Sequence, residues 1–121
     1  MNDFNTNVPI YLQIIEDIKS RIMNGTLKPN DKIPSVREFA LEFGVNPNTI
    51  QRAFTELERD GYIRTERAVG RYVNDNQELI DFQKQKYIQE NIEEFVEKME
   101  SLGLSLSDIQ KALENYKEDI S

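Results

Sequence analysis

A mainly α fold with one small β-hairpin is the architecture this sequence predicts, on three observations. Residues 33–73 hold two short helical patterns that meet at Gly44, then strand-like runs at 62–65 and 71–73 on either side of a loose turn. An amphipathic helical pattern precedes them. Two more follow a polar joint at 74–77, where the period becomes helical again.

The first helix, about 9–24, places Ile10, Ile14, Ile15, Ile18 and Ile22 at helical spacing and ends at Gly25, which makes it scaffold. Residues 27–33 form a connection with Pro29, closing into a short strand near Lys32 and Ile33 that can pair with the hairpin. The next helix starts at Ser35, after Pro34, and buries Val36, Phe39, Ala40 and Phe43. Ser35 and Glu38 have the spacing of a capping box, in which the two residues satisfy each other's free N–H groups. Ala40 lets a second helix approach, Gly44 can take the positive φ of a tight turn, and Val45, Ile50 and Phe54 form the wedge between the helices. This is the spacing of a helix-turn-helix, over about 36–55.

The second helix of the pair begins at Asn46, whose side chain can accept from the first N–H groups, and Pro47, whose missing donor costs nothing there. Its apolar residues are Ile50, Ala53, Phe54 and Leu57, so Asn48, Thr49, Gln51, Arg52 and Thr55 lie away from the core. Asn and Gln can pair bidentately with adenine, Arg with guanine, and Thr with phosphate or a thymine methyl. The acidic Glu56, Glu58 and Asp60 come later, where such a helix rises out of the groove. In the preceding helix Arg37 sits in the first turn, where a cation opposes the helix dipole and an external phosphate relieves the placement. The competing expectation is a salt bridge from Arg37 to Glu38, Glu42 or Glu66. Double-stranded DNA is the ligand this face implies.

Asp60-Gly61 supplies a glycine able to end the helix in the left-handed conformation. The hairpin that follows, about 62–74, turns through 66–70 and carries Arg64, Arg67 and Arg71. A wing of this kind can set Arg67 and the Gly70 backbone beside a minor groove, whose narrow A·T tracts attract arginine. Arg67 and Arg71 are expected to add affinity with little base selectivity.

These motifs together resemble the GntR family of bacterial transcription regulators, and most closely its YtrA-type subgroup, in which a short helical tail replaces a large ligand-binding domain. The resemblance runs through PIYLQIIEDIKSRIMNGTLKPNDKIPSVREFA, GVNPNTIQRAFTELERDGYI and the wing, and weakly through the tail. It implies that Arg37, in the turn after Pro34-Ser35, contacts DNA, and that Asn46, Pro47, Asn48, Thr49 and Gln51 occupy the early recognition-helix positions. The wing glycines of the family fall at Ala68 and Gly70. Pro47 and Gln51 stand where many relatives carry arginine, Ala68 replaces the first glycine, and Arg71 replaces the usual threonine. The DNA sequence read should therefore differ from that of the arginine-rich branches.

Charge divides unevenly along the chain. Residues 1–76 hold ten Lys and Arg against eleven Asp and Glu, whereas 77–121 hold five against eleven, so the acid is mostly in the tail. Repulsion by the tail weakens nonspecific binding while the arginines of the reading face still attract DNA locally. The chain has no cysteine and no histidine, which excludes disulfides, thiolate zinc sites and histidine general bases; no metal or other cofactor is expected. The first residues, MNDFNTNV, lack a basic region followed by an apolar run, and no segment approaches the roughly 18 apolar residues of a membrane span. A cytoplasmic protein is the expectation.

In the tail, Ile80, Tyr87, Ile88, Ile92, Phe95, Val96, Met99 and Leu102 mark a long helix, about 77–102, too apolar on one side to stand alone. Gly103 ends it, and Ser105 with Asp108 opens a second helix, to about residue 118, with Ile109, Leu113 and Tyr116 on one face. Such a hairpin cannot enclose its own core, so Ile88, Ile92, Phe95 and Met99 are assigned to pairing with a second copy; folding back onto the same chain is the alternative. The domains expected are a winged helix-turn-helix DNA-binding domain at 8–76 and a helical dimerisation tail at 77–121. The candidate DNA-binding residues are Ser35, Arg37, Asn46, Asn48, Thr49, Gln51, Arg52, Arg67, Gly70 and Arg71. The function expected is that of a dimeric repressor of a small operon, which the resemblance associates with transport, bound at an inverted repeat and without catalysis. A winged helix used only to bind protein is the alternative, and no small-molecule effector is identified.

Overall fold

Four isoleucines on one face begin the fold. In the computed structural model, which describes residues 7–120, Ile14, Ile15, Ile18 and Ile22 are the buried residues of α1 (Ile10–Met23). They meet α2 (Val36–Phe43), which contributes Phe39, Ala40 and Phe43, and α3 (Pro47–Arg59), which contributes Ile50, Ala53, Phe54 and Leu57. Phe39 and Phe54 meet edge to face with centroids 5.8 Å apart, a favoured aromatic geometry. An ion pair closes the outer seam of α1 and α2: Arg21 donates to Asp17 at 2.7 Å and to Glu42 at 2.8 Å, its guanidinium 5.4 Å from the Phe39 and Phe43 ring centres. Partial burial pulls the Arg21 pKa down, but the hydrogen bond to Glu42 and the Asp17 charge outweigh it and hold the group above its ordinary value.

The turns are made as the residue types require. Gly44 sits at φ 67°, and the Val45 N–H reaches back to the Ala40 carbonyl at 3.0 Å, which lets α3 leave α2 abruptly. Gly61, at φ 83°, closes α3 in the same way: Tyr62 N–H bonds to the Leu57 carbonyl and Gly61 N–H to that of Glu58. One expected cap is only half made. Ser35 Oγ accepts from the Glu38 N–H at 3.1 Å, but the Glu38 carboxylate makes no return bond among the described residues. In the tail both halves form, Ser105 N–H to Asp108 at 3.0 Å and Asp108 N–H to Ser105 Oγ at 3.2 Å, and they hold the Asp108 carboxyl below its usual range.

The hairpin pairs β1 (Ile63–Glu66) with β2 (Gly70–Val73) antiparallel, with Ile63 opposite Val73 and Glu66 opposite Gly70. The connection before α2 adds the expected third edge, since Ile33 N–H bonds to the Arg71 carbonyl and Val73 N–H to that of Asp31, both at 2.9 Å. Ile63 and Val73 face inward and seal the core against Tyr62.

The tail consists of α4 (Gln77–Ser101) and α5 (Leu106–Ile120). The chain divides into its two units between Phe82 and Gln83, inside α4, rather than at the polar joint before residue 77. The reason is packing: Ile80 is buried with the core of the first unit, and a β-carbon at Gly61 would collide with Leu79. The first turn of α4 thus belongs to the winged unit. In the second unit Ile109 is the buried residue of α5, while Val96, Met99 and Leu104 are half-buried.

At the hairpin tip Ala68 occupies the left-handed region, φ 62°, at the position where the family resemblance places a glycine. A β-carbon there costs on the order of 1 kcal/mol. Ala68→Gly should raise the unfolding free energy by about 0.5–1 kcal/mol, read as a higher urea midpoint at unchanged slope, whereas Ala68→Val should lower it. A lower midpoint for the glycine variant would mean that the tip carries no strain.

Candidate nucleic-acid interface

The inner face of α3 is packed into the core, so its period sets what points outward. Asn46 caps the helix by accepting from the Asn48 N–H at 2.8 Å, with Pro47 in the first turn. One lone pair of its carbonyl oxygen is thereby used, and both amide donors stay available for a ligand. Asn48 and Gln51 are exposed and Thr49 is half-exposed on the same helix, while the Thr55 hydroxyl turns back to the Gln51 carbonyl at 2.9 Å. Gln51 and Asn48 are separated by one turn, the spacing at which two side chains can reach adjacent base edges.

Arg37 is exposed in the first turn of α2 and makes no hydrogen bond or ion pair among the described residues. Two of the acidic partners that the sequence offered it are taken, Glu42 by Arg21 and Glu66 by Arg64 at 3.4 Å. Ser35 is exposed beside it, its hydroxyl oxygen committed to the cap. Arg37 therefore stands as a solvated cation at the dipole-unfavourable end of α2, free to meet a phosphate.

Arg52 behaves differently from the expectation of a free base-reading arginine. Its guanidinium lies 3.8 Å from the centre of the Tyr11 ring, packed onto α1. Tyr11 was absent from the apolar positions assigned to α1, yet it falls three residues before Ile14 and so shares its face. That spacing was the available signal.

The three wing cations also part company. Arg64 is strapped to its own hairpin, donating to the Val73 carbonyl at 2.9 Å and lying 5.4 Å from the Tyr72 ring centre. Arg67 is exposed at the tip with no bond or ion pair among the described residues. Arg71, expected with Arg67 to add affinity with little base selectivity, turns toward α3. Its guanidinium carbon lies 5.0 Å from the Phe54 ring centre and Nη2 faces Gln51 Oε1 at 3.5 Å. Gly70, at φ 149°, passes so close to Lys32 that a β-carbon would sit 3.0 Å from its Cε. Between the wing and the start of α2 lies an open cavity of about 450 Å³, lined by Lys32, Ser35, Phe54, Gly70 and Arg71 among others. The structure thus sets Asn48, Thr49 and Gln51 on α3 with Arg71 of β2 facing Gln51, leaves Arg37 and Arg67 unpaired among the described residues, and draws Arg52 onto α1.

The Arg52–Tyr11 contact is open to a double-mutant cycle. Arg52→Ala, Tyr11→Leu and the pair should show a stabilising coupling of about 0.5–1 kcal/mol in chemical denaturation. Strict additivity would return Arg52 to the free reading face.

Comparison with known proteins places this geometry. Residues 10–73 match the family model described as bacterial regulatory proteins, gntR family. The chain is 41% identical over 117 residues to the HTH-type transcriptional regulator YhcF of Bacillus subtilis, covering 97% of each. It is 34% identical over 119 residues to the HTH-type transcriptional repressor YtrA of the same organism, covering 98% of this chain and 92% of YtrA. Among solved structures, a GntR family transcriptional regulator from Listeria monocytogenes superposes with a TM-score of 0.87 at 36% identity, covering 93% of this chain and 98% of that one. The AraR DNA-binding domain, solved in complex with operator ORR3, superposes with a TM-score of 0.54 at 33% identity, covering 60% of this chain and 86% of that one. On the match over its winged helix and the full-length likeness beyond it, the chain belongs to the GntR family, a helix-turn-helix DNA-binding transcription regulator.

Proposed function

We propose that this chain acts in the cytoplasm as a homodimeric repressor, each subunit laying α3 in the major groove of one half of an inverted repeat. The observation that carries the reading is the segregation of charge on the winged unit: the outer face of α3 is uncharged or basic through Thr55, and Arg37 of α2 has no anionic partner among the described residues. Ser35 and Arg37 hold phosphate, Asn46, Asn48, Thr49 and Gln51 face bases, and Arg67 with the Gly70 backbone follows the minor groove. Relatives named as regulators and a repressor support a non-catalytic role. The neighbour solved on its operator supports operator binding. A small operon, linked to transport by the YtrA-type resemblance alone, is the target we assign.

Dimerisation is assigned to the tail. On α4, Ile88, Ile92 and Phe95 are 39%, 50% and 39% exposed. With Tyr87 and Asn91 they line an open apolar groove of about 380 Å³. Burying the part of these three that is still exposed against a second copy supplies roughly 0.5–1.5 kcal/mol each before association costs are subtracted. Met99 is half-buried and contributes less than its place in the stripe suggested.

Two measurements test the proposal. Arg37→Ala should weaken binding to every DNA sequence alike and lower the salt slope by about one counterion; unchanged titrations in a folded variant would exclude Arg37 as a phosphate contact. Ile92→Glu alters an exposed position, so the monomer should stay folded while sedimentation shows dimer loss. Affinity for a two-half-site operator should then fall by about 10²-fold or more, with a lone half-site little affected. Persistence of the dimer would remove the tail groove from the interface.

A further inference from the structure

We infer that Arg71 of the wing sets which base Gln51 of α3 reads. The inference rests on the DNA-binding reading above and deepens it. A glutamine amide carries one acceptor, Oε1, and two donors on Nε2. Reading adenine takes both kinds, Nε2 donating to N7 and Oε1 accepting from the N6 amino group. Here Oε1 faces Arg71 Nη2 at 3.5 Å. That is long for a hydrogen bond, yet the direction of the amide is fixed by charge: turning it over would set its NH2 donors against a guanidinium.

Arg71 is held where it can exert this effect. Its guanidinium rests 5.0 Å from the centre of Phe54, a ring only 1% exposed and therefore a rigid platform. Its Nε is buried, so the side chain is enclosed as far as the guanidinium. With Oε1 turned to the arginine, Gln51 has its Nε2 donors left for a base. Guanine offers two acceptors, O6 and N7, whereas adenine opposes such a pair with its N6 donor. Gln51 therefore selects guanine, and the adenine preference of an isolated glutamine is suppressed by a residue on the wing. Arg71 is a positioning residue that acts through Gln51.

The test is selection of bound DNA from a randomised inverted-repeat library with the full chain, comparing wild type, Gln51→Ala, Arg71→Met and Arg71→Lys, each checked for folding by circular dichroism. Met and Lys both keep an unbranched stem against Phe54, so neither opens a large void. The base pair whose preference vanishes in Gln51→Ala marks the position Gln51 faces. At that pair wild type and Arg71→Lys should select guanine, since both keep a cation beside Oε1, and Arg71→Met should move the preference toward adenine by about tenfold. An enriched operator with the same base in Arg71→Met as in wild type, adenine in wild type, or no Gln51-dependent position overturns the inference while leaving DNA binding intact. No enriched sequence in wild type overturns the sequence-specific reading itself, and the inference with it.

Discussion

Phe54 is the side chain on which three elements of the winged unit meet. It belongs to α3, its ring meets Phe39 of α2 in a T-shaped contact, and it carries the guanidinium of Arg71 from β2. A 13-residue helix such as α3 is marginal in isolation and takes its stability from tertiary packing. Ile50, Ala53, Phe54 and Leu57 supply that packing, each exposed by 1% or less. Once they are seated, the helical period leaves no freedom in where Asn48, Gln51 and Thr55 emerge. The reading face we propose is a by-product of the buried one, and the wing is tied to both through the same ring.

What could be read from residue order was governed by local rules. Helix bounds, the Asn46-Pro47 start of α3, the left-handed Gly44 and Gly61, and the pairing of the segment at 30–33 with β2 all follow from spacing and residue type over a few positions. The fates of the arginines did not. Arg37, Arg52, Arg64, Arg67 and Arg71 look alike in sequence, and only the tertiary fold decides that Tyr11 lies under Arg52, that the Val73 carbonyl captures Arg64, and that Phe54 receives Arg71. The end of the winged unit escaped for a similar reason. A polar run at 74–77 looks like a joint, but the long reach of Leu79 and Ile80 back to the core moves the division to Phe82.

This use of arginine explains how a chain with nearly balanced charge over residues 1–76 can still offer DNA a cationic surface. Part of the acid is neutralised internally: Arg21 takes Asp17 and Glu42, Arg59 takes Glu56, and Arg64 takes Glu66. Among the described residues Arg37 and Arg67 are left over, one in the first turn of α2 and one at the wing tip. Contact electrostatics are short-ranged at cellular ionic strength, with a screening length of about 8 Å, so the local arrangement outweighs the overall negative charge.

The tail obeys a different balance. Its five basic residues face eleven acidic ones, and two copies brought together repel as well as each repelling DNA. In the dimer we propose, the apolar row of Ile88, Ile92 and Phe95 has to outweigh that repulsion, and a hairpin with so little buried surface of its own gains much of its order from doing so. Salt then acts on the two surfaces in opposite directions. It screens the tails and favours association, while it weakens phosphate contacts by removing the gain from counterion release. Holding the apolar face on one unit and the polar reading face on the other keeps the two effects apart, so the strength of pairing can change without altering which bases are read.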